Sequence, residues 1–209
     1  MRQSDVMVYL MTGFLDSGKT QFLTFTLEQD YFQIQGKTLL ILCEEGEEEY
    51  DPKEMLKYGV VIEKVEDKED LTEAWLEEMN RKHKPERVVE YNGMWPVSDF
   101  EKLALPAGWK IEQKIATVDA STFQMYLTNL KPLFVEMVKG AELVLFNRCE
   151  DRGPLAGYRR SVKVVSPQAE VIFEDENGEV DNIFEDEVPY DLNAPMIEIR
   201  REDYAIWYV

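Results

Sequence analysis

Gly13-Phe14-Leu15-Asp16-Ser17-Gly18-Lys19-Thr20 matches the pattern G-x-x-x-x-G-K-[ST] at every fixed position. Glycines at positions 13 and 18 let the backbone wrap a phosphate chain where a Cβ would clash or φ would be costly. Lys19 is suited to reach β- and γ-phosphates as a point charge, and the Thr20 hydroxyl to ligate Mg²⁺. The flanks fit. Val6-Met7-Val8-Tyr9-Leu10-Met11 reads as a strand buried on both faces. Phe22, Leu23, Thr26 and Leu27 fall near helical spacing with no Gly or Pro between them. The loop therefore lies between a strand and a helix whose N-terminal N–H groups and dipole face an anion. The competing reading is a glycine-rich strand–helix turn with no ligand. Motif and flanks together favour the phosphate loop.

The chain has 209 residues, 44% hydrophobic and 31% charged, enough for one α/β domain with a sizeable core. Its net charge of −19 argues against sequence-independent binding to nucleic acid or to an anionic membrane surface, both of which need Lys and Arg. Cys43 and Cys149 are far apart, and the single histidine, His83, lies between two lysines. No zinc-type Cys/His cluster and no disulfide scaffold results, so a reducing compartment is expected. No signal pattern and no apolar run of membrane-spanning length is present, and the chain reads as cytoplasmic.

Strand and helix signals alternate along the chain. Further strands are expected at residues 38–43, 59–65 (partly polar, hence an edge), 87–91, 109–118, 142–147 and 170–173, the last being the final strand of the sheet. A helix is expected over 70–82, capped by Asp70, with Leu71, Ala74, Trp75 and Met79 near one face. Residues 121–139 read as helical with a break at Pro132. This alternation implies a three-layer α/β P-loop NTPase fold, a mostly parallel sheet with helices on both faces, over residues 1–175. Residues 176–209 read as an acidic linker or hairpin and the start of a truncated second domain, because the chain stops at Ala205-Ile206-Trp207-Tyr208-Val209. The alternative for that end is a last strand packed on the sheet.

Parallel sheets bind ligands at the C-terminal ends of their strands. The polar residues after each apolar run are therefore the candidates. After the second run stands an acidic stretch in which Glu44, Glu47 or Asp51 could assist Mg²⁺, or which could simply be a solvated loop. After the third, Glu90 could hold a Mg²⁺ water or polarise an attacking water, and Gly93 could offer its N–H to a γ-phosphate. The alternative there is an Asn-Gly turn. After residues 142–146 comes Asn147-Arg148-Cys149-Glu150, in the place where GTPases carry Asn-Lys-x-Asp for the guanine edge. A polar strand-to-helix turn is the alternative.

Together these segments resemble the CobW-type GTPases, relatives of the HypB and UreG metallochaperone GTPases. The resemblance runs through Gly13 to Thr20, Cys43 to Asp51, Glu90-Tyr91-Asn92-Gly93-Met94-Trp95-Pro96, Val118-Asp119-Ala120 and Asn147 to Glu150, in order over roughly residues 6–173. It implies a Mg²⁺-dependent GTP-binding protein and slow GTPase. In that reading Lys19 and the loop backbone, including Asp16, Ser17 and Gly18, hold the phosphates. Gln21 stands beside Thr20 near the α-phosphate, where the family usually has Thr or Ser. Thr20 and Glu90, with Glu44 or Asp51, serve Mg²⁺; Lys19 and Glu90 are the catalytic pair; Gly93 senses the γ-phosphate; Asn147 and Glu150 read the base. It also implies a link to metal homeostasis or transport, a protein partner such as a transporter or metalloprotein, and dimerisation. The family's Cys-x-Cys-Cys motif has no counterpart near residues 59–66. Two other readings stand beside it: a nucleotide-responsive regulatory or scaffold module with little hydrolysis, and an ATP-using enzyme on the same fold.

Overall fold

The structure is a computed structural model that describes residues 5–29, 32–43, 50–93, 95–150, 155–176 and 178–179. Its strands are β1 (Val6–Thr12), β2 (Thr38–Leu42), β3 (Val60–Lys64), β4 (Arg87–Asn92), β5 (Trp109–Asp119), β6 (Leu143–Asn147), β7 (Glu170–Asp175) and β8 (Gly178–Glu179). Its α-helices are α1 (Lys19–Glu28), α2 (Pro52–Lys57), α3 (Glu73–His83), α4 (Val97–Phe100), α5 (Phe123–Asn129), α6 (Lys131–Val138) and α7 (Leu155–Val165). The strands form one sheet in the order β3-β2-β4-β1-β5-β6-β7-β8. Every pairing from β3 to β7 is parallel, and β8 returns antiparallel to β7. The α/β fold expected from the alternation is the observed one, with β3 at the edge.

Alternate residues of β2 show why the strand must be apolar throughout. Leu39 and Ile41 pack with Leu76 and Met79 of α3 and Val97 and Phe100 of α4. Leu40 packs with Leu23 and Leu27 of α1 and Met55 of α2. A strand covered on both sides has no solvent face to make polar. Beyond β5 the core is aromatic: Phe123, Phe134, Phe146 and Phe173 are all fully buried, with Phe146 stacked on Phe173 at 5.0 Å and edge-on to Phe123 at 5.1 Å. Where β4 begins, the buried guanidinium of Arg87 lies 3.6 Å from the ring centroid of Phe32. Burial lowers its pKa.

Several expected boundaries move for local reasons. Asp70 ends a single 3₁₀ turn, and Thr72 caps α3 by accepting the Trp75 N–H at 3.2 Å. The buried face of α3 is then Leu76 and Met79, while Ala74 is exposed. The break in residues 121–139 falls at Leu130, and Pro132 sits in the first turn of α6, where its missing N–H costs nothing. β7 is not the last strand, because the acidic turn at 174–179 folds as a β7–β8 hairpin. The rest of the expected second segment, residues 180–209, lies outside the described residues.

At the β3 edge, Glu63 accepts from Lys82 at 2.7 Å and meets His83 Nε2 at 2.6 Å. Partial burial alone would raise the Glu63 pKa, but these two bonds outweigh it and hold the carboxyl below its ordinary value of 4.5. A depressed folded pKa means stabilisation present above the unfolded value and lost as pH falls through the folded one. Glu63→Gln is therefore expected to flatten part of the fall in thermal midpoint below pH 4.5. Phe146→Ala should cost about 3–5 kcal/mol, read as a lower urea midpoint at unchanged slope.

Candidate functional site

The order of strands reverses at β1: the chain goes from β1 to β2 on one side and, after returning to β4, continues with β5, β6 and β7 on the other. Such a switch point opens a crevice at the C-terminal ends of the strands. Residues 13–20 leave β1 into that crevice and enter α1.

The loop is tightly built. Gly13 lies so close to β5 that a Cβ would stand 2.4 Å from Ser17 Oγ, 2.5 Å from Thr117 Oγ1 and 2.6 Å from the Thr117 carbonyl oxygen. The hydroxyls of Ser17 and Thr117 are themselves hydrogen-bonded at 2.8 Å. Asp16 and Gly18 both have left-handed backbones, with φ of 58° and 85°. Gly18 is the N-cap of α1, and its missing Cβ is the space taken by the Asn147 amide, 2.3 Å from where that carbon would be. The Lys19 side chain is buried and its ammonium donates to the carbonyls of Gly13 and Phe14, each at 2.8 Å. The charge is thus held across the mouth of its own loop.

The segment after β6 docks on this loop. Asn147 Nδ2 donates to the Ser17 carbonyl at 2.8 Å, and Arg148 Nη1 donates to the Asp16 carbonyl at 2.9 Å. Arg148 also pairs with Asp119 at the end of β5. Burial raises the Asp119 pKa, but bonds from Ser121 and Arg148 outweigh it and leave the carboxyl below the ordinary aspartate value. Asn147 Oδ1 is buried and has no hydrogen-bond partner among the described residues. A buried acceptor without a donor is costly, by about 1–3 kcal/mol, and a ligand N–H would relieve it. The cradle without Cβ atoms and this orphaned acceptor both fit a bound nucleotide.

The expected site residues divide as follows. The structure brings Gly13, Asp16, Ser17, Gly18, Lys19 and Asn147 into one cluster. Thr20, half-buried, follows Lys19 in the first turn of α1, and Gln21 is exposed beside it. Gly93 faces the start of the loop: with Thr12, Phe14, Trp95 and Met137 it lines a small cavity of about 50 Å³. Glu90 lies within β4. β4 runs on to Asn92, and Glu90 pairs in register with Leu10, two residues before Thr12. Asp51 is occupied locally, because its carboxylate caps α2 by accepting the Lys53 N–H at 2.8 Å. Glu44 and Glu47 lie outside the described residues. Glu150 is half-buried beyond Cys149. Burial, with Glu150, Asp175 and Glu174 nearby, pushes the Cys149 thiol up to about 11.

Two contributors were not legible in the sequence as parts of the loop's support, Thr117 and Asp119. Both sit at the end of β5: the β1–β5 pairing brings Thr117 to Gly13 and Ser17, and the β5–β6 pairing sets Asp119 beside Asn147 and Arg148. Among the described residues, no group of three or more His, Cys, Asp and Glu is placed to hold a metal ion. Mg²⁺ at a phosphate loop draws its ligands from a hydroxyl, phosphates and water, and Thr20 carries a hydroxyl in the first turn of α1. A larger hollow of about 610 Å³ lies between the end of β3 and α3, but its lining includes Glu66, Asp67, Glu69, Asp70 and Glu78, the wrong charge for a phosphate.

No protein-family model matches the chain, and no curated protein matches it in sequence. Solved structures match it in shape. Zn(II)-bound YjiA GTPase from E. coli is similar at a TM-score of 0.61 and 22% identity, over 86% of this chain and 60% of that one. HypB from Archaeoglobus fulgidus, a hydrogenase maturation factor, is similar at 0.52 and 17%, over 83% and 82%. HypB from Helicobacter pylori, solved in complex with nickel, is similar at 0.52 and 14%, over 96% and 89%. The chain therefore spans 60% of the length of YjiA, and it has the P-loop fold of these proteins, the fold that the CobW resemblance implies.

The close approach at Gly13 has a measurable cost. Gly13→Ala should lower stability by about 1–3 kcal/mol, because the new methyl meets the backbone of β5. Gly157→Ala, in α7 with nothing within 4 Å, should raise stability by up to about 1 kcal/mol. Urea unfolding of the two variants separates the effects.

Proposed function

We propose that this chain is a Mg²⁺-dependent GTP-binding protein and slow GTPase of the CobW type, tied to metal homeostasis or transport through a protein partner. One observation supports the reading: the loop at residues 13–20 has its lysine collared by the carbonyls of Gly13 and Phe14, and the segment after β6 docks on it through Asn147. In this site the loop N–H groups and Lys19 would bind and orient the phosphates, and Thr20 would ligate Mg²⁺, which offsets phosphate charge during transfer. Gly93 would present its N–H to the γ-phosphate. Glu90 would order the attacking water or a water on the metal. Asn147 and Glu150 would read the base, with the extra methylene of Glu150 loosening guanine selectivity. Catalysis in such a site is positioning plus charge stabilisation, so turnover without a partner is slow. In the structures named above YjiA is Zn(II)-bound and the Helicobacter pylori HypB is in complex with nickel, which supports a metal-linked role. Dimerisation and a cytoplasmic location go with this reading; among the described residues no helix is long and apolar enough to cross a membrane.

The second reading, a nucleotide-responsive regulatory module with little hydrolysis, is favoured by the absence of cysteine at residues 59–66 and by Arg148 and Glu150 in place of Lys and Asp. Calorimetric titration with GTP and ATP, with and without Mg²⁺, followed by turnover assays, separates these readings. GTP is expected to bind more tightly than ATP and to need Mg²⁺, and Lys19→Ala is expected to abolish binding. Retained affinity in Lys19→Ala, or flat heats for the unaltered chain, would refute the assignment. Binding with turnover at background, unmoved by zinc, cobalt or nickel, would support the regulatory module.

A further inference from the structure

The phosphate loop is held from outside as well as from within. The Asp16 and Ser17 carbonyls point away from the loop to Arg148 and Asn147. No peptide bond among the described residues is cis, so each carbonyl held on one side sends the N–H of the next residue to the other. Holding the Ser17 carbonyl therefore aims the Gly18 N–H, and holding the Asp16 carbonyl aims that of Ser17, which closes on Phe14 O at 3.1 Å. Asp16 and Arg148 are both non-glycine residues with left-handed backbones, at φ 58° and 53°. They are also the two ends of one hydrogen bond. Strained conformations persist where the surroundings over-determine them.

What over-determines Arg148 is Asp119. The Arg148 Nη1 nitrogen carries two protons and serves two acceptors, the Asp16 carbonyl at 2.9 Å and Asp119 Oδ2 at 2.5 Å. The other Asp119 oxygen is pinned by the Ser121 N–H at 2.7 Å, in the turn that leads to the fully buried Phe123. Asp119 is nearly buried, whereas Arg148 is about half exposed. The carboxylate is thus the fixed partner and the guanidinium the movable one. An Arg side chain on a surface spends its entropy freely unless an ordered carboxylate fixes it. The chain of contacts runs from β5 to Asp119, to Arg148, to the Asp16 carbonyl, to the backbone of the phosphate loop.

We propose that Asp119 is a positioning residue for the nucleotide site: through Arg148 it fixes the Asp16 carbonyl and with it the shape of the phosphate loop. The inference rests on the nucleotide-binding function proposed above. It assigns Arg148 the task of holding the Asp16 carbonyl, and Asp119 a task at the site exerted through Arg148.

Equilibrium titration of the full chain with a fluorescent N-methylanthraniloyl-GDP in Mg²⁺ tests it. Asp119→Ala and Arg148→Ala should each weaken binding about tenfold, the scale of a lost charge-assisted hydrogen bond. Asp119→Asn keeps an oxygen for the Ser121 N–H and removes the charge, so it should weaken binding nearly as much while its thermal midpoint stays near that of the unaltered chain. The double variant Asp119→Ala/Arg148→Ala should bind no more weakly than Arg148→Ala alone, within about twofold, because Asp119 acts through Arg148. A purely architectural Asp119 would give losses that multiply. Wild-type affinity in Asp119→Asn, or multiplicative losses in the double variant, overturns the inference. Lys19→Ala in the same titration keeps the two readings apart. If the unaltered chain binds and Lys19→Ala does not, while the Asp119 variants bind normally, only this inference falls. If the unaltered chain does not bind, both fall.

Discussion

The contact between the end of β1 and the end of β5 is the constraint from which the rest of the site follows. Gly13 passes within the reach of a methyl group of Thr117, so the strand pairing and the loop conformation are one packing problem. With a side chain at position 13, the Ser17 hydroxyl could not bond Thr117, and the first turn of the loop would open. Lys19 would then lose the two carbonyls that receive its ammonium. The two carbonyls that face that lysine offset part of the cost of burying its charge. The backbone of β1 therefore sets the electrostatics of the loop as well as its shape.

A second set of restraints comes from the other half of the sheet. β6 delivers Asn147 and Arg148 onto the outer side of the loop, and β5 delivers Asp119 to Arg148. Two strands that follow the loop by about a hundred residues thus complete it, as the separations of 100 for Ser17–Thr117 and 130 for Asn147–Ser17 record. The loop alone would be a flexible glycine-containing turn. Docked against these strands it is a pre-shaped surface, which lowers the entropy lost when an anion is bound.

The fold was legible because parallel strands buried on both faces leave near-continuous apolar runs, and Leu39, Leu40 and Ile41 or Val144, Leu145 and Phe146 can hardly be read otherwise. Helix starts were less legible. Asp70 and Thr72 are both good caps, and what decides between them is the 3₁₀ turn that consumes Asp70. The phosphate loop was legible because its parts are contiguous. Thr117 carried no signal for its contact, since a threonine in a strand is unremarkable until strand order places it opposite Gly13. In the sequence Asp119 stands out within Val118-Asp119-Ala120, and nothing there marks it as the carboxylate that holds Arg148. Asp51 has a local use that the sequence also carried: just before Pro52, its carboxylate caps α2 by accepting the Lys53 N–H.

The outer border of β3 has a consequence for the molecule in concentrated solution. A terminal strand offers unsatisfied N–H and C=O groups as a template for a neighbour's backbone. Here that strand carries Glu63 bound to Lys82 and His83, ionic side chains that a second chain would have to dehydrate in order to zip alongside. At the opposite border the brief β8 return already occupies part of β7. With a charge of −19 repelling like molecules as well, amyloid-style stacking through the borders of the sheet is discouraged from both ends.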